Sequence, residues 1–174
     1  LRVSASTTAT KNSYLRFQVP SLGGSVVSAT LKVFATSASN PGYKVYSTAS
    51  GWTAAGLNWN TASAFGPIGN SLGTSGIFSA NTLTSVNVTS LVTAGGEYNL
   101  LMTAINTPTQ TQFNFASSES TPPANRPVLV IVVNTPPVAV NDSGYSTGQG
   151  TALTVAAAGV LANDTDADTN TLTA

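Results

Sequence analysis

Two stretches of this chain change side-chain character at every residue. In 13–19, Leu15, Phe17 and Val19 lie on one side and Tyr14, Arg16 and Gln18 on the other. In 27–35, Ala29, Leu31, Val33 and Ala35 form one row, with Lys32 in the opposite row. A period of two marks a strand with one buried face. Residues 43–47 repeat it, with Tyr43, Val45 and Ser47 opposite Lys44 and Tyr46. Shorter candidates are 85–88, 98–105 and 112–116. The continuous apolar run 127–133 is expected to be a strand buried on both faces. Gly23-Gly24, Pro41-Gly42, Gly95-Gly96 and Pro122-Pro123 separate these runs as turns. A single helical turn is expected at 89–94, capped by Thr89 or Ser90. The pattern predicts an all-β protein: an antiparallel, jelly-roll-like β-sandwich with a short C-terminal β-strand extension. Leu15, Phe17, Leu31, Val33, Leu100, Phe113, Phe115, Leu129 and Ile131 are its expected core.

Charge divides the chain. Residues 1–133 hold all six basic residues (Arg2, Lys11, Arg16, Lys32, Lys44, Arg126) with Glu97 and Glu119, a net +4. Residues 134–174 hold Asp142, Asp164, Asp166 and Asp168 and no base, a net −4. Between them, 134–137 (Asn134-Thr135-Pro136-Pro137) reads as a stiff, extended linker. The second unit, 138–174, offers candidate strands at 138–140 and 152–156. It is near the lower limit of about 40 residues for a chain that folds without a metal, disulfide or partner.

Missing residue types exclude whole chemistries. The chain has no Cys and no His. Thiol nucleophiles, disulfides, thiolate zinc sites and Ser-His-Asp triads are therefore ruled out. A formal net charge of zero leaves no basic footprint for nucleic acid. No apolar run is long enough to span a membrane as a helix. Charged residues are 7% of the chain, while Ser and Thr number 47, so the polar surface is built from hydroxyls and amides. That composition suits an extracellular β-protein. The start at Leu1 without Met suggests a piece of a longer, processed precursor. Catalysis is not expected: glycoside hydrolysis needs two carboxylates about 5–9.5 Å apart. In 1–133 Glu97 sits at an exposed turn, and Glu119 is expected to pair with Arg126 or Arg16.

The segments SYLRFQVPSLGGSVVSATLKVFATSAS (13–39), GWTAAGLNWNTASAFG (51–66), VNVTSLVTAGG (86–96) and FNFASSESTPPANRPVLVIVV (113–133) together resemble the DNRLRE-type domain. That resemblance implies a β-sandwich module of secreted and cell-surface proteins of bacteria and archaea, hence an extracellular or cell-surface location; some of its members are carbohydrate-binding modules attached to polysaccharide lyases. The family carries a further N-terminal strand before the stretch that begins here at Leu1. Residues 136–174 resemble the opening of a bacterial cadherin-like or Ig-like tandem repeat. In that family the Asn-Asp pair and Asp-rich loop bind calcium, a role that would fall on Asn141, Asp142, Asp164, Asp166 and Asp168.

Two kinds of site follow. Calcium takes six to eight hard oxygens. Asp142, Asp164, Asp166 and Asp168 could supply several, or they could form a solvated acidic turn. For a sugar, Trp52, Tyr43 and Tyr46 are the candidate stacking surfaces, with Trp52 after Gly51 in a loop as the best. Trp59 is expected to be a packed anchor, and core packing is the alternative for every one of these rings. Two functions stay open. The first is a non-catalytic structural or adhesive building block that binds copies of itself head to tail, the 138–174 tail donating a strand to an open sheet edge. The second is a carbohydrate-binding module of a larger secreted enzyme or adhesin, with polysaccharide as partner.

Overall fold

The alternating rows of the sequence become the inner faces of two sheets. The computed structural model describes residues 1–5, 10–105 and 112–173. Among them run β1 (Arg2–Ala5), β2 (Thr10–Lys11), β3 (Ser13–Val19), β4 (Ser25–Ala35), β5 (Tyr43–Ser47), β6 (Ile68–Thr74), β7 (Thr82–Asn87), β8 (Gly96–Ala104), β9 (Phe113–Asn114) and β10 (Val128–Asn134). One sheet has the order β3-β8-β5-β6, the second β10-β4-β7, and a small third sheet β2-β1-β9. Every pairing is antiparallel. The protein is an all-β sandwich, as the alternation predicts.

The register shows which rows face inward. Leu15 pairs with Leu100 between β3 and β8, and Val45 with Met102 between β5 and β8. From the facing sheet, Leu31 sits between Leu129 of β10 and Val86 of β7. Leu31, Val33, Val45, Leu100 and Met102 have no exposed surface. Burying each such side chain contributes about 1.5–3 kcal/mol. Tyr43, Phe78, Phe113 and Phe115 close one end of the core as an aromatic cluster, with ring centroids 5.1–6.5 Å apart. Of the expected core, Phe17, Leu129 and Ile131 are only partly buried, although they pack against it.

Several expectations need correction. The run 127–133 is not buried on both faces. β10 is an edge strand, and Val128, Val130 and Val132 stand 46%, 36% and 49% exposed. A continuous apolar run does not distinguish a central strand from an edge strand with one open face. The helical turn at 89–94 is reduced to one hydrogen-bonded turn, with the Leu91 and Val92 amides donating to the Val88 carbonyl. Thr89 does not cap it. Its hydroxyl oxygen instead accepts from the Ala29 amide of β4 at 2.9 Å. Neither 138–140 nor 152–156 forms a strand; the tail has a single antiparallel bridge, Val138 to Thr165. Val138, Val140, Leu153 and Val155 stay exposed, so no buried face fixes a register there. Arg16 approaches Glu97 at 4.0 Å, while Arg126 donates to the Ser120 carbonyl, so neither forms the expected pair with Glu119.

Candidate functional site

The outer face of the β3-β8-β5-β6 sheet is partly roofed by the long connection between β5 and β6. That connection, 48–67, is held by its own side chains. The Thr48 hydroxyl donates to the Phe65 carbonyl at 2.7 Å and closes the neck. Further out, Asn58 and Thr61 lock a turn reciprocally. The Asn58 Oδ1 accepts from the Asn60 amide at 2.9 Å, and the Thr61 Oγ1 accepts from the Asn58 amide at 2.9 Å. The Thr61 hydroxyl donates to the Gly56 carbonyl at 2.8 Å. Asn and Thr suit this because their short side chains imitate backbone partners. The turn lifts Trp59, which is 76% exposed.

Between this loop and the first three strands lies a cleft of about 720 Å³. Arg2 of β1, Thr10 and Lys11 of β2, and Ser13 and Tyr14 of β3 form one wall. Trp52, Leu57, Asn58 and Trp59 belong to the other. The cleft walls thus carry three aromatic rings and two cations, and no carboxylate among the described residues. Arg2 is steadied by Asn114, whose Oδ1 accepts from Nε at 3.0 Å. The Tyr14 hydroxyl donates to the Ala62 carbonyl at 3.3 Å, and burial pushes its phenol above the ordinary value.

Trp52 lies deeper and is 8% exposed. Its ring meets Tyr14 edge-on at 5.9 Å and carries the Arg16 guanidinium 5.0 Å from its centroid. The indole N–H is buried and has no acceptor among the described residues.

Both tryptophans of the loop line the cleft, with exposures opposite to those the sequence suggests. Trp52 lines the cleft but is mostly covered, whereas Trp59, expected as a packed anchor, is the open ring. Tyr43 is not a sugar platform. It is fully buried in the aromatic cluster, where its hydroxyl bonds Thr84 Oγ1 at 2.6 Å. Tyr46 is half-buried opposite Leu101, outside the residues that line the cleft. The cleft is also lined by Tyr14, Arg2 and Lys11, which the sequence does not single out. Tyr14 was recognised only as an outward residue of a strand, and β1 and β2 are too short to show a period.

The acidic tail residues are placed apart in role. Asp164 Oδ1 accepts from the Val140 amide at 2.7 Å, and Asp168 Oδ2 accepts from the Thr135 amide at 2.5 Å. Asp166 Oδ1 accepts from the amides of Asp168 and Asn170 at 2.8 and 3.1 Å. Asp142 is exposed. Among the described residues no three acidic side chains gather in a way that could hold a metal ion. The segment 163–170 instead runs back along the linker and satisfies its backbone donors.

No helix among the described residues is long and apolar enough to cross a membrane. No curated protein matches the chain. The comparison that does match bears on the carbohydrate-binding side of the sequence's resemblance: residues 1–133 match carbohydrate-binding module family 96, and the chain belongs to that family.

Proposed function

We propose that residues 1–133 bind a polysaccharide bearing carboxylate groups in the cleft beside Trp59, without cleaving it. The observation that carries this reading is the open indole of Trp59 on its locked turn, at the edge of a cleft whose charged residues are Arg2 and Lys11. An aromatic face suits the apolar C–H face of a pyranose, and a rigid ring loses little entropy when it stacks. Guanidinium and ammonium groups favour carboxylates along an acidic chain. The acids of 1–133, Glu97 and Glu119, are absent from the residues lining the cleft, so the carboxylate pair that glycoside hydrolysis requires is not assembled there. Membership in a carbohydrate-binding family favours this reading over the self-assembling building block, and an extracellular location follows from such a partner.

Affinity electrophoresis and calorimetry against neutral and uronate polysaccharides test the reading. Trp59→Ala is expected to weaken binding at least about tenfold. Arg2→Gln with Lys11→Gln is expected to weaken it and flatten its dependence on salt. Unchanged affinity in the Trp59 variant, or wild-type protein that binds no polysaccharide of either kind, overturns it.

A further inference from the structure

We propose that Arg16, although absent from the residues lining the cleft, is a positioning residue that sets Trp52 and with it the shape of the cleft wall; the inference rests on the cleft being the glycan site. Trp52 sits in a stretch of the 48–67 connection that has no regular secondary structure. Its indole N–H has no acceptor among the described residues, so none of them fixes the ring through a hydrogen bond from the indole. What holds it is Arg16. One nitrogen, Nη1, donates to the Trp52 carbonyl at 3.1 Å, and the guanidinium carbon Cζ lies over the ring, 5.0 Å from its centroid. Backbone and ring of one residue are thus gripped by one side chain.

Arg16 is itself tied to the sheet. Its Nη1 lies 4.0 Å from Glu97 Oε2, and Asn99 Nδ2 donates to Glu97 Oε1 at 2.8 Å. Asn99 pairs with Arg16 across β3 and β8, and its carbonyl accepts from the Thr48 amide at 3.0 Å, where the roofing connection begins. A chain of polar contacts therefore runs from β8 through Glu97 and Arg16 to Trp52. From there it reaches the cleft, where Tyr14 meets the same indole from the side. Lysine cannot reproduce the grip. A compact ammonium lacks the plane that lets arginine face a ring while donating to a carbonyl beside it. Supporting groups of this kind hold a binding surface within fractions of an ångström of its working geometry.

The test uses the full chain and separates positioning from direct contact. Arg16→Lys and Arg16→Gln are each expected to lower affinity for an acidic polysaccharide about five- to tenfold, and Arg16→Lys, which keeps the charge, is expected to leave the salt dependence of binding unchanged. Glu97→Gln is expected to give a smaller loss in the same direction when read near physiological salt, where the lost negative charge is screened. The chain has two tryptophans, so Trp59→Phe leaves Trp52 as the single indole reporter. In that background Arg16→Lys is expected to shift Trp52 emission to the red and increase its quenching by iodide. Wild-type affinity in Arg16→Lys overturns the proposal. So does a loss of affinity in Arg16→Lys accompanied by a flatter salt dependence, because Arg16 would then touch the ligand. If Arg16→Gln does not fold, Arg16→Lys and Glu97→Gln still decide. If the wild-type chain binds no polysaccharide, the reading of the cleft fails by itself, while Trp52 quenching still decides whether Arg16 holds the indole.

Discussion

Tyr43 shows how much chemistry a single buried hydroxyl can carry. Thr84 gives its one hydroxyl proton to the Val33 carbonyl at 2.9 Å, so the 2.6 Å contact between Thr84 and Tyr43 is donated by the phenol. Ionising Tyr43 would remove that donor and leave a charge among aromatic rings. Burial accordingly pushes the phenol from 10 up to about 12. The unfolded phenol ionises near its ordinary value and the folded one later. The stabilisation is therefore fully present below pH 10 and is lost as pH rises through about 12. Its full size is about 3 kcal/mol. Denaturant unfolding across that range is expected to show a falling stability, and Tyr43→Phe is expected to remove most of the fall at a cost of about 1 kcal/mol at neutral pH. An unchanged alkaline slope in Tyr43→Phe would count against it. Tyr14, pushed in the same direction by burial, leaves a residual slope. The sequence carried half of this. Alternation in 43–47 set Tyr43 with Val45 and against Tyr46, so the two tyrosines could never have shared one sugar site. The tryptophans were harder, because neither lies in a periodic segment. Their exposure is decided by the Asn58–Thr61 side-chain lock and by the grip of Arg16, both of which need the folded loop.

At the scale of elements, strands were legible where one face is buried and opaque elsewhere. β3 and β5 have the bounds that alternation predicts, and β4 begins two residues before its predicted start. β6 was missed. Its sequence, IGNSLGT, has two glycines and no alternation, and none of its residues is fully buried. One of those glycines explains why the element exists in this form. A Cβ on Gly73 would stand 2.9 Å from Val86 Cγ1 and 3.1 Å from the Asn87 carbonyl oxygen of β7. The edge of one sheet thus comes against the edge of the other at a place where a side chain has no room. Gly73→Val is expected to destabilise the sandwich by about 1–3 kcal/mol, read as a lowered midpoint in thermal or denaturant unfolding. Wild-type stability in that variant would mean that β6 and β7 do not meet this closely. β9 shows the opposite limit. It is two residues long, yet Phe113 and the adjoining Phe115 are core residues, held because backbone bonds link 114–116 to the end of β4.

The whole molecule is two oppositely charged parts, and the acidic one is folded onto the linker. Asp164 and Asp168 accept from the amides of Val140 and Thr135, on either side of the two prolines, which have no amide proton to offer. Asn170 Nδ2 donates to Asn134 Oδ1 at 2.9 Å, where the tail reaches the sandwich. The cleft, by contrast, is lined by residues between 1 and 66. Removing 135–174 takes away four negative charges and no basic residue, which leaves a sandwich of net +4 from a neutral chain. The shortened protein is expected to unfold at nearly the same temperature, within the roughly 0.5 kcal/mol typical of changes away from the core. Its affinity for an acidic polysaccharide is expected to rise at low ionic strength. The gain should vanish near physiological salt, where screening acts over about 8 Å. Affinity for a neutral polysaccharide should not respond to the deletion. Calorimetry at two salt concentrations reads the charge effect, and light scattering on both lengths reads assembly. A shortened chain that no longer folds, or loses its ligand, would make the tail part of the binding unit. Polymers formed by the full chain and abolished by the deletion would instead return the head-to-tail strand exchange that the sequence first suggested.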